Sequence, residues 1–372
     1  MNIVTFCIVC MNRLHHLKIT LPKNIKDHQG NNDARFLLLD YNSQDGLEEW
    51  VKMNLSTEIA EGKLVYYKTK EPNSFNRSHS RNLAFKLVPE GLICNLDADN
   101  FTGLNFCSYI NRLMSNNYNS ILAVDRLNLK GVLKDVVGRI CLSKEDFHSV
   151  KGFDESMQDY GFEDVDLVNR VKATGKNLIY MNKRKYLKAI AHSNAERYAE
   201  ENITRKISDV LISHLEPQLT DIIFIYHDQT FEKGTLYDNI NYYFELIPEE
   251  SVSSHFNYPR YLIQGNWTTG EWYLEANQLH LNAHGESLLL EKQTFGLYPE
   301  ELCYKEPGGN ITYQSIISNG SLLSQIKEFY SSMNNWKKMA NNAQIPDNEI
   351  NPQGFGKGVV YRNFSEHSIT VY

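Results

Sequence analysis

The sequence has no long run of lysine or arginine, and its formal net charge is -7. A surface that neutralises nucleic-acid phosphates needs the opposite balance, so nucleic acid is excluded as a partner, although a single nucleotide can still bind locally. No stretch approaches the roughly 18 apolar residues needed to span a bilayer. Met1 and Asn2 lead straight into IVTFCIV, without a basic leader or a small-residue cleavage site, which reads as a first core strand and not a signal peptide. A soluble chain is expected. Cysteine is sparse, with 6 in all, mostly inside apolar segments where a free thiol acts as a small hydrophobe. Cys7 and Cys10 form a C-x-x-C, but no second pair stands at zinc-site spacing and no thioredoxin-like helix start follows. Reduced thiols in a cytosolic setting fit best. Internal repeats and low-complexity tracts are missing too.

What remains is ordinary globular material, 42% hydrophobic and 22% charged over 372 residues, enough for two cores. Apolar runs at Ile3–Val9, Phe36–Asp40 and Leu92–Leu96 alternate with segments of helical period such as Leu14–Leu21 and Ser78–Leu87. That alternation predicts β-α-β units around a mainly parallel sheet. Acidic residues fall where such strands end, at Asp40, Asp97 and Asp99, the edge where open α/β sheets bind ligands. Charged, helix-favouring residues run from Ala195 to Leu219, and Pro217 ends them. The expected domains are therefore 1–217 and 218–372. The second reads as a smaller antiparallel β domain, with strands near Ile222–Tyr226, Arg260–Ile263, Glu271–Leu274, Leu279–Leu281 and Ser287–Leu290, and turns at Gly265, Asn266, Gly270, Asn282 and Gly285. A helix over Leu322–Met339 and extended covering segments complete it. Its aromatics Trp267, Trp272, Tyr273 and Phe295 suit a small β core better than a sugar-binding face.

Four constellations carry chemistry. In LICNLDADNF at 92–101, Asp97 and Asp99 end an apolar strand. Two carboxylates so placed can hold Mg²⁺ or Mn²⁺ against a substrate diphosphate, because these hard ions take oxygen ligands, though a lone D-x-D is also a common acidic turn. In KGFDESMQDYGFEDVDLVNRV at 151–171, Glu163 and Asp164 open a helix, where they serve either as caps or as a catalytic acid pair. His192, after a predicted strand, suits Mn²⁺ as a further ligand or is a structural histidine. Arg77 and Arg81, four apart at a helix start in SFNRSHSRNLAF, either make surface ion pairs or face a diphosphate.

In order, CMNRLHHLKITLP at 10–22, LDYNSQDG at 39–46, SFNRSHSRNLAF at 74–85, LDADN at 96–100, GFDESMQDYGFEDVDL at 152–167 and AIAHS at 189–193 resemble the GT-A glycosyltransferases, within them the β-1,4-galactosyltransferase-like and family 2 bacterial enzymes. The resemblance covers roughly residues 1–200. It implies a GT-A, Rossmann-like catalytic domain that moves a sugar from a nucleotide donor, a UDP-sugar, to a hydroxyl of a glycan or lipid-linked acceptor, with Mn²⁺ or Mg²⁺. By that resemblance Arg13, Asp40, Phe75, Arg77 and Arg81 would hold the nucleotide, Asp97 the ribose and metal, and Asp99 and His192 the metal. Glu163 would position the acceptor and Asp164 would act as base. A bacterial cytoplasm, with contact at the inner membrane face through the acceptor, is the setting it implies. Two departures stand out. Ala189 occupies the family's Met ligand position, and the Trp-Gly-Trp-Gly acceptor loop is reduced to Asp159-Tyr160-Gly161-Phe162. Two alternatives stand beside this reading: a non-catalytic carbohydrate-binding or assembly protein, and a sugar nucleotidyltransferase. The latter needs a Gly-rich phosphate loop after the first strand, and CMNRLHH has no glycine. The former would have lost the acidic pairs, which are present here.

Overall fold

In β1 (Val4–Cys10) every residue is buried, as a strand flanked on both faces requires, and its side chains divide by parity. Val4, Phe6, Ile8 and Cys10 enter one hydrophobic cluster, while Cys7 and Val9 enter another. Its parallel neighbour β2 (Ala34–Tyr41) divides in the same register, with Phe36 and Leu38 on the first face and Leu37 and Leu39 on the second. These two clusters are the two halves of an α/β sandwich. The computed structural model describes residues 2–115, 119–125, 134–216, 219–238, 261–293, 302–345 and 349–372. It divides into two units, Met1–Ser193 with Asn334–Tyr372, and Asn194–Met333.

The first unit's sheet adds β3 (Leu64–Thr69), β4 (Leu92–Asn95), β6 (Ser120–Val124), β7 (Cys141–Ser143), β8 (Asn177–Met181), β18 (Gly358–Arg362) and β19 (Ser368–Val371). Strand order is β19-β18-β3-β2-β1-β4-β7-β6-β8, with β3, β2, β1 and β4 mutually parallel. A separate two-stranded piece pairs β5 (Asn100–Phe101) with β9 (Lys188–Ala189). The chain leaves β1 toward β2 on one side and returns to β4 on the other, so the crevice past the carboxyl ends of β1 and β4 is a topological switch point. Helix α1 (Leu14–Asp27) places Leu14, Leu17, Leu21 and Ile25 on the first cluster. Two of its buried polar residues, Thr20 and Asn24, bond to the segment after β4. Thr20 Oγ1 donates to Ala98 O at 2.6 Å, Asn24 Nδ2 donates to Asn100 O at 2.8 Å, and Asn24 Oδ1 accepts from Thr102 N at 2.9 Å. The second face is covered by α4 (Arg77–Lys86), through Leu83 and Phe85, and α7 (Glu163–Ala173), through Leu167 and Val171. Each such fully buried side chain contributes about 1.5–3 kcal/mol.

In the second unit, β10 (Ile207–Glu216), β11 (Leu219–Tyr226), β12 (Thr230–Asp238), β13 (Tyr261–Glu275), β14 (Gln278–Ala283), β15 (Glu286–Gln293), β16 (Cys303–Lys305) and β17 (Thr312–Ser315) form a closed barrel. The β-rich expectation holds, with differences. The helix expected from Ala195 forms only as the short pieces Asn194–Tyr198 and Asn202–Lys206, after which ISDVLIS joins the barrel because pairing with β11 outweighs local propensity. Pro217, Arg260 and Phe295 lie outside the described residues. Of the expected turns, Gly285 is one, following His284 with both in left-handed backbone. Gly265, Asn266 and Gly270 lie inside β13 instead. At Gly270 a Cβ would stand 2.0 Å from Asn282 O, so this glycine serves close approach and not a turn. Trp272 donates to Tyr226 O at 2.9 Å and packs on the barrel cluster, whereas Tyr273 is exposed and stacks on His280. A long helix follows over Gly320–Asn342. Among the described residues no helix is long and apolar enough to cross a membrane.

His28, at the end of α1, generates a pH prediction. Its Nδ1 lies 2.9 Å from Asn24 O and its Nε2 accepts from Cys107 N at 3.3 Å, a pattern that only the neutral ring satisfies. Burial lowers its pKa from 6.5. The unfolded chain therefore takes up the proton first, and stability is lost as pH falls through about 6.5 until the folded ring itself titrates. Thermal unfolding should show a falling midpoint over that window, with a shallower slope in His28→Gln; equal slopes would contradict the neutral-ring assignment.

Candidate active site

The site gathers at the switch point. Asp99 stands in the turn between β4 and β5 and is held from both sides. Its carbonyl accepts from Ile190 N at 2.9 Å, just past β9, and its Oδ1 accepts from Asn100 Nδ2 at 2.7 Å. The β5–β9 pairing, Asn100 opposite Ala189, fixes the distance along the chain to His192. His192 Nε2 then lies 3.0 Å from Asp99 Oδ2 and 3.3 Å from Asp135 Oδ1. Hydrogen bonds to Asp135 and Asp99 push the imidazole pKa up to about 10. Asp135 was not among the sequence candidates. It comes from a single 3₁₀ turn, Lys134–Val136, between strands, and no local pattern marks it.

Donor atoms of Asp99, Asp135 and His192 lie within 4.8 Å of one another. Two carboxylates and an imidazole suit a hard or borderline divalent cation, so the residues fit Mn²⁺ or Mg²⁺. Around them stands a supporting shell. Asn100 Nδ2 also donates to Asp135 O at 2.9 Å, and Asn100 Oδ1 accepts from Arg139 Nη2 at 2.7 Å. Arg139 is buried, and it reaches Tyr186 O and Phe101 O as well, tying β5 to the strand that returns with His192. Neither Asn100 nor Arg139 was assigned a role from the sequence.

The other D-x-D carboxylate, Asp97, faces a different partner. Arg81, on α4, donates through Nη2 to Asp97 at 3.3 Å and through Nη1 to Glu163 at 2.8 Å. Burial alone works against the guanidinium charge, but Asp97, Glu163 and Asp164 together hold it, and the pKa rises. Burial raises the pKa of Asp97, against the opposing pull of Arg81. Gly138 packs against the pair, where a Cβ would sit at ordinary contact distance, 3.4 Å, from both Arg81 Nη2 and Asp97 Oδ2. Arg81 is thus an internal bridge between carboxylates.

Glu163 and Asp164 open α7, where the helix N-terminus favours negative charge. Glu163 accepts from Arg81 and from Gly161 N at 3.1 Å, and Asp164 Oδ1 accepts from Val165 N at 2.8 Å. The loop before them is strained at Asp159, φ 60°, and Phe162, φ 66°, with Gly161 between them taking 105° without cost. For an aromatic residue such as Phe162 the left-handed backbone costs roughly 1–2 kcal/mol. Arg77 lies beside this loop, its guanidinium 5.1 Å from the Tyr160 ring centroid and 5.5 Å from that of Phe75. Phe75 meets Tyr41 edge-on at 6.0 Å.

Two further residues expected to hold the nucleotide lie near the end of β2 and at the start of α1. Asp40 is fully buried, accepting from Ser43 N at 2.7 Å and Tyr66 Oη at 2.7 Å, and burial raises its pKa. It braces the loop after β2. Arg13 is half-buried at the start of α1, where Asn12 adopts φ 55° and Asp45 Oδ2 caps Leu14 N at 2.8 Å. The site thus brings together Asp99 with His192, and Asp97 with Arg81 and Glu163, while Asp40 lies in the core.

Replacing Arg81 by Met keeps the stem but leaves two carboxylates facing each other, and removal of one partner from a buried pair costs about 3–5 kcal/mol. Urea unfolding of Arg81→Met should report a loss of that order, and Arg81→Met/Glu163→Gln should recover part of it. An unchanged midpoint would contradict the bridge.

Residues 121–193 match a family model described as the N-terminal domain of galactosyltransferase. No curated protein matches the chain. Among solved structures, it is similar to a mannosyltransferase from Pyrobaculum calidifontis in complex with GDP-Man and Mn²⁺, at 15% identity and a TM-score of 0.45, covering 54% of this chain and 62% of that one. TarS of S. aureus follows at 13% identity and a TM-score of 0.42, covering 54% and 63%. The catalytic domain of Drosophila β1,4-galactosyltransferase 7 in complex with xylobiose gives 14% identity and a TM-score of 0.36, covering 54% and 75%. The chain thus spans less than two thirds of the length of the first two. The family match falls on the stretch that supplies Asp135, Glu163, Asp164 and His192.

Proposed function

We propose that the first unit transfers a glycosyl group from a nucleoside-diphosphate sugar, a UDP-sugar, to a hydroxyl of a glycan or lipid-linked acceptor, inverting the anomeric centre in one displacement. The observation that carries this reading is the division of the site's acids into two sets: Asp99 and Asp135 with His192, and Asp97 and Glu163 tied through Arg81, with Asp164 beside them. Leaving-group departure and acceptor activation need separate groups, and the two sets supply them.

Asp99, Asp135 and His192 would hold the divalent cation, with Asp135 making good the donor lost where Ala189 replaces a methionine. When bound, such an ion stabilises the charge that develops on the departing diphosphate. Asp164 is the base. Glu163 already accepts two hydrogen bonds, one from a buried guanidinium, which suits it to orient the loop and an acceptor hydroxyl instead. Asp164 takes that hydroxyl's proton at its carboxylate as the oxygen attacks. Tyr160 and Phe162, half-buried in the same loop, offer ring faces for a sugar.

General-base assistance is commonly worth about 10²–10⁴ in rate, so Asp164→Asn should lose turnover by that factor while retaining UDP affinity. Near-normal turnover would remove Asp164 from this role. For the cation, calorimetric titration of Mn²⁺ into Asp135→Ala should show affinity reduced by at least about tenfold. Unaltered Mn²⁺ binding would return the site to Asp99 and His192 alone. Titration of UDP-sugars with and without Mn²⁺ tests the donor class, and absence of binding by every UDP species would overturn the reading.

A further inference from the structure

The loop from Asp154 to Asp166 carries the strained backbone and the acid pair, and it is gripped along its length by a segment far away in sequence. Within the first unit, the last turns of the helix over Gly320–Asn342, here α10, supply the contacts. Asn335 Nδ2 donates to Gln158 O at 2.9 Å, and Lys338 Nζ donates to Ser156 O. Met339 Sδ receives Asn169 Nδ2 at 3.8 Å. Asn342 then closes the loop at both ends, its one amide nitrogen donating to Asp154 Oδ2 at 2.9 Å and to Asp166 Oδ1 at 3.0 Å.

Spacing makes this grip a designed feature of the helix. Positions 335, 338, 339 and 342 recur at three and four residues, so they form one face. The face donates polar groups to main-chain carbonyls and carboxylates where an ordinary helix would bury apolar side chains. Asn335 and Asn342 are nearly inaccessible, at 1% and 7% exposure. Asp166 is buried as well, and it has Arg170 as its cation, at 2.7 Å, so Asn342 supplies the neutral donor that lets a second carboxylate, Asp154, sit beside the pair. From the opposite side α4 holds the same loop, through Ser78 to Met157 O at 3.4 Å, Asn82 to Phe153 O at 2.8 Å, and Arg81 to Glu163. Left-handed backbone at Asp159 and Phe162 persists only where the surroundings over-determine it. The two helices do so together.

We propose that the C-terminal turns of α10 are a clamp that shapes the acid-bearing loop, and that Asn342 is a positioning residue for Glu163 and Asp164. The inference rests on the glycosyl-transfer reading for its catalytic consequence, but not for its structural one. Asp164 lies two residues before Asp166, so a shift of Asp166 propagates directly to the base.

The test compares the full-length chain with Asn342→Leu, similar in size but without a donor, and with Asn335→Leu/Lys338→Met, which leaves Asn342 in place. Hydrogen exchange of amides 155–163 should accelerate by about tenfold or more in both variants, with β1 and β4 unaffected. Binding of UDP in the presence of Mn²⁺ should be unchanged, while kcat for transfer falls by about 10–100-fold with little change in donor KM, as misplacement of a reacting group predicts. Loop exchange equal to wild type in both variants would overturn the clamp. Acceleration throughout the first unit with parallel loss of UDP binding would also overturn it, since Asn342 would then be merely structural. Should the unmodified chain transfer no sugar from any UDP donor, the functional reading fails, and the exchange measurement still decides on the clamp.

Discussion

Arg81 holds its charge in a place where burial works against it, and Asp97 and Glu163 close on its two terminal nitrogens. Much of the site's geometry depends on that bridge. Asp97 follows β4 and Glu163 starts α7, two elements brought to one place only by the fold, and a single planar guanidinium sets their separation. A lysine there would neutralise charge without fixing angle. The bridge also occupies Glu163, and so separates its role from that of Asp164 one residue on.

The backbone around Asp99 obeys a second constraint, the need to satisfy polar groups that the fold buries. Helix α1 answers it with Thr20 and Asn24, which bond the main chain of Ala98, Asn100 and Thr102. Arg139 and Asn100 answer it from the other side. The D-x-D turn is thereby fixed on two sides before any ligand arrives. Preorganisation of this kind is what an electrostatic site requires, because donors that need no rearrangement retain their full effect when charge develops.

The parallel core was legible in the sequence because each strand is a run of buried apolar residues between helical segments, a signal local in the chain. The places of Asp97, Asp99, Glu163, Asp164 and His192 at strand ends and a helix start were legible for a related reason. What escaped is set by distant pairing. Asp135 lies in a single turn whose meaning depends on where His192 returns, and Arg81 reads equally as an ion-pair partner or a phosphate ligand until two carboxylates are seen beside it. Asp40 ends a strand like the others, yet Tyr66, from a strand that the apolar pattern did not reveal, covers it and turns it inward. In the second unit, Gly270 resembles punctuation in the sequence, and only its approach to Asn282 explains it.

The end of the chain follows from the same logic of distant pairing. Strand β18 joins the sheet edge beside β3, and the segment before it runs back over α4 and the loop at 151–155. Asn351 donates to Lys151 O and Phe153 O, Glu155 accepts from Gly356 N, and the Phe355 ring would collide with any side chain larger than hydrogen at Gly152. The loop that leads to the acids therefore starts from a fixed point as well as ending at one. A loop with left-handed backbone at several positions has no low-energy reason to hold one shape by itself. Its shape comes from contacts made by residues close to two hundred positions further along, so the site is complete only once the C-terminal segment has folded back onto the sheet.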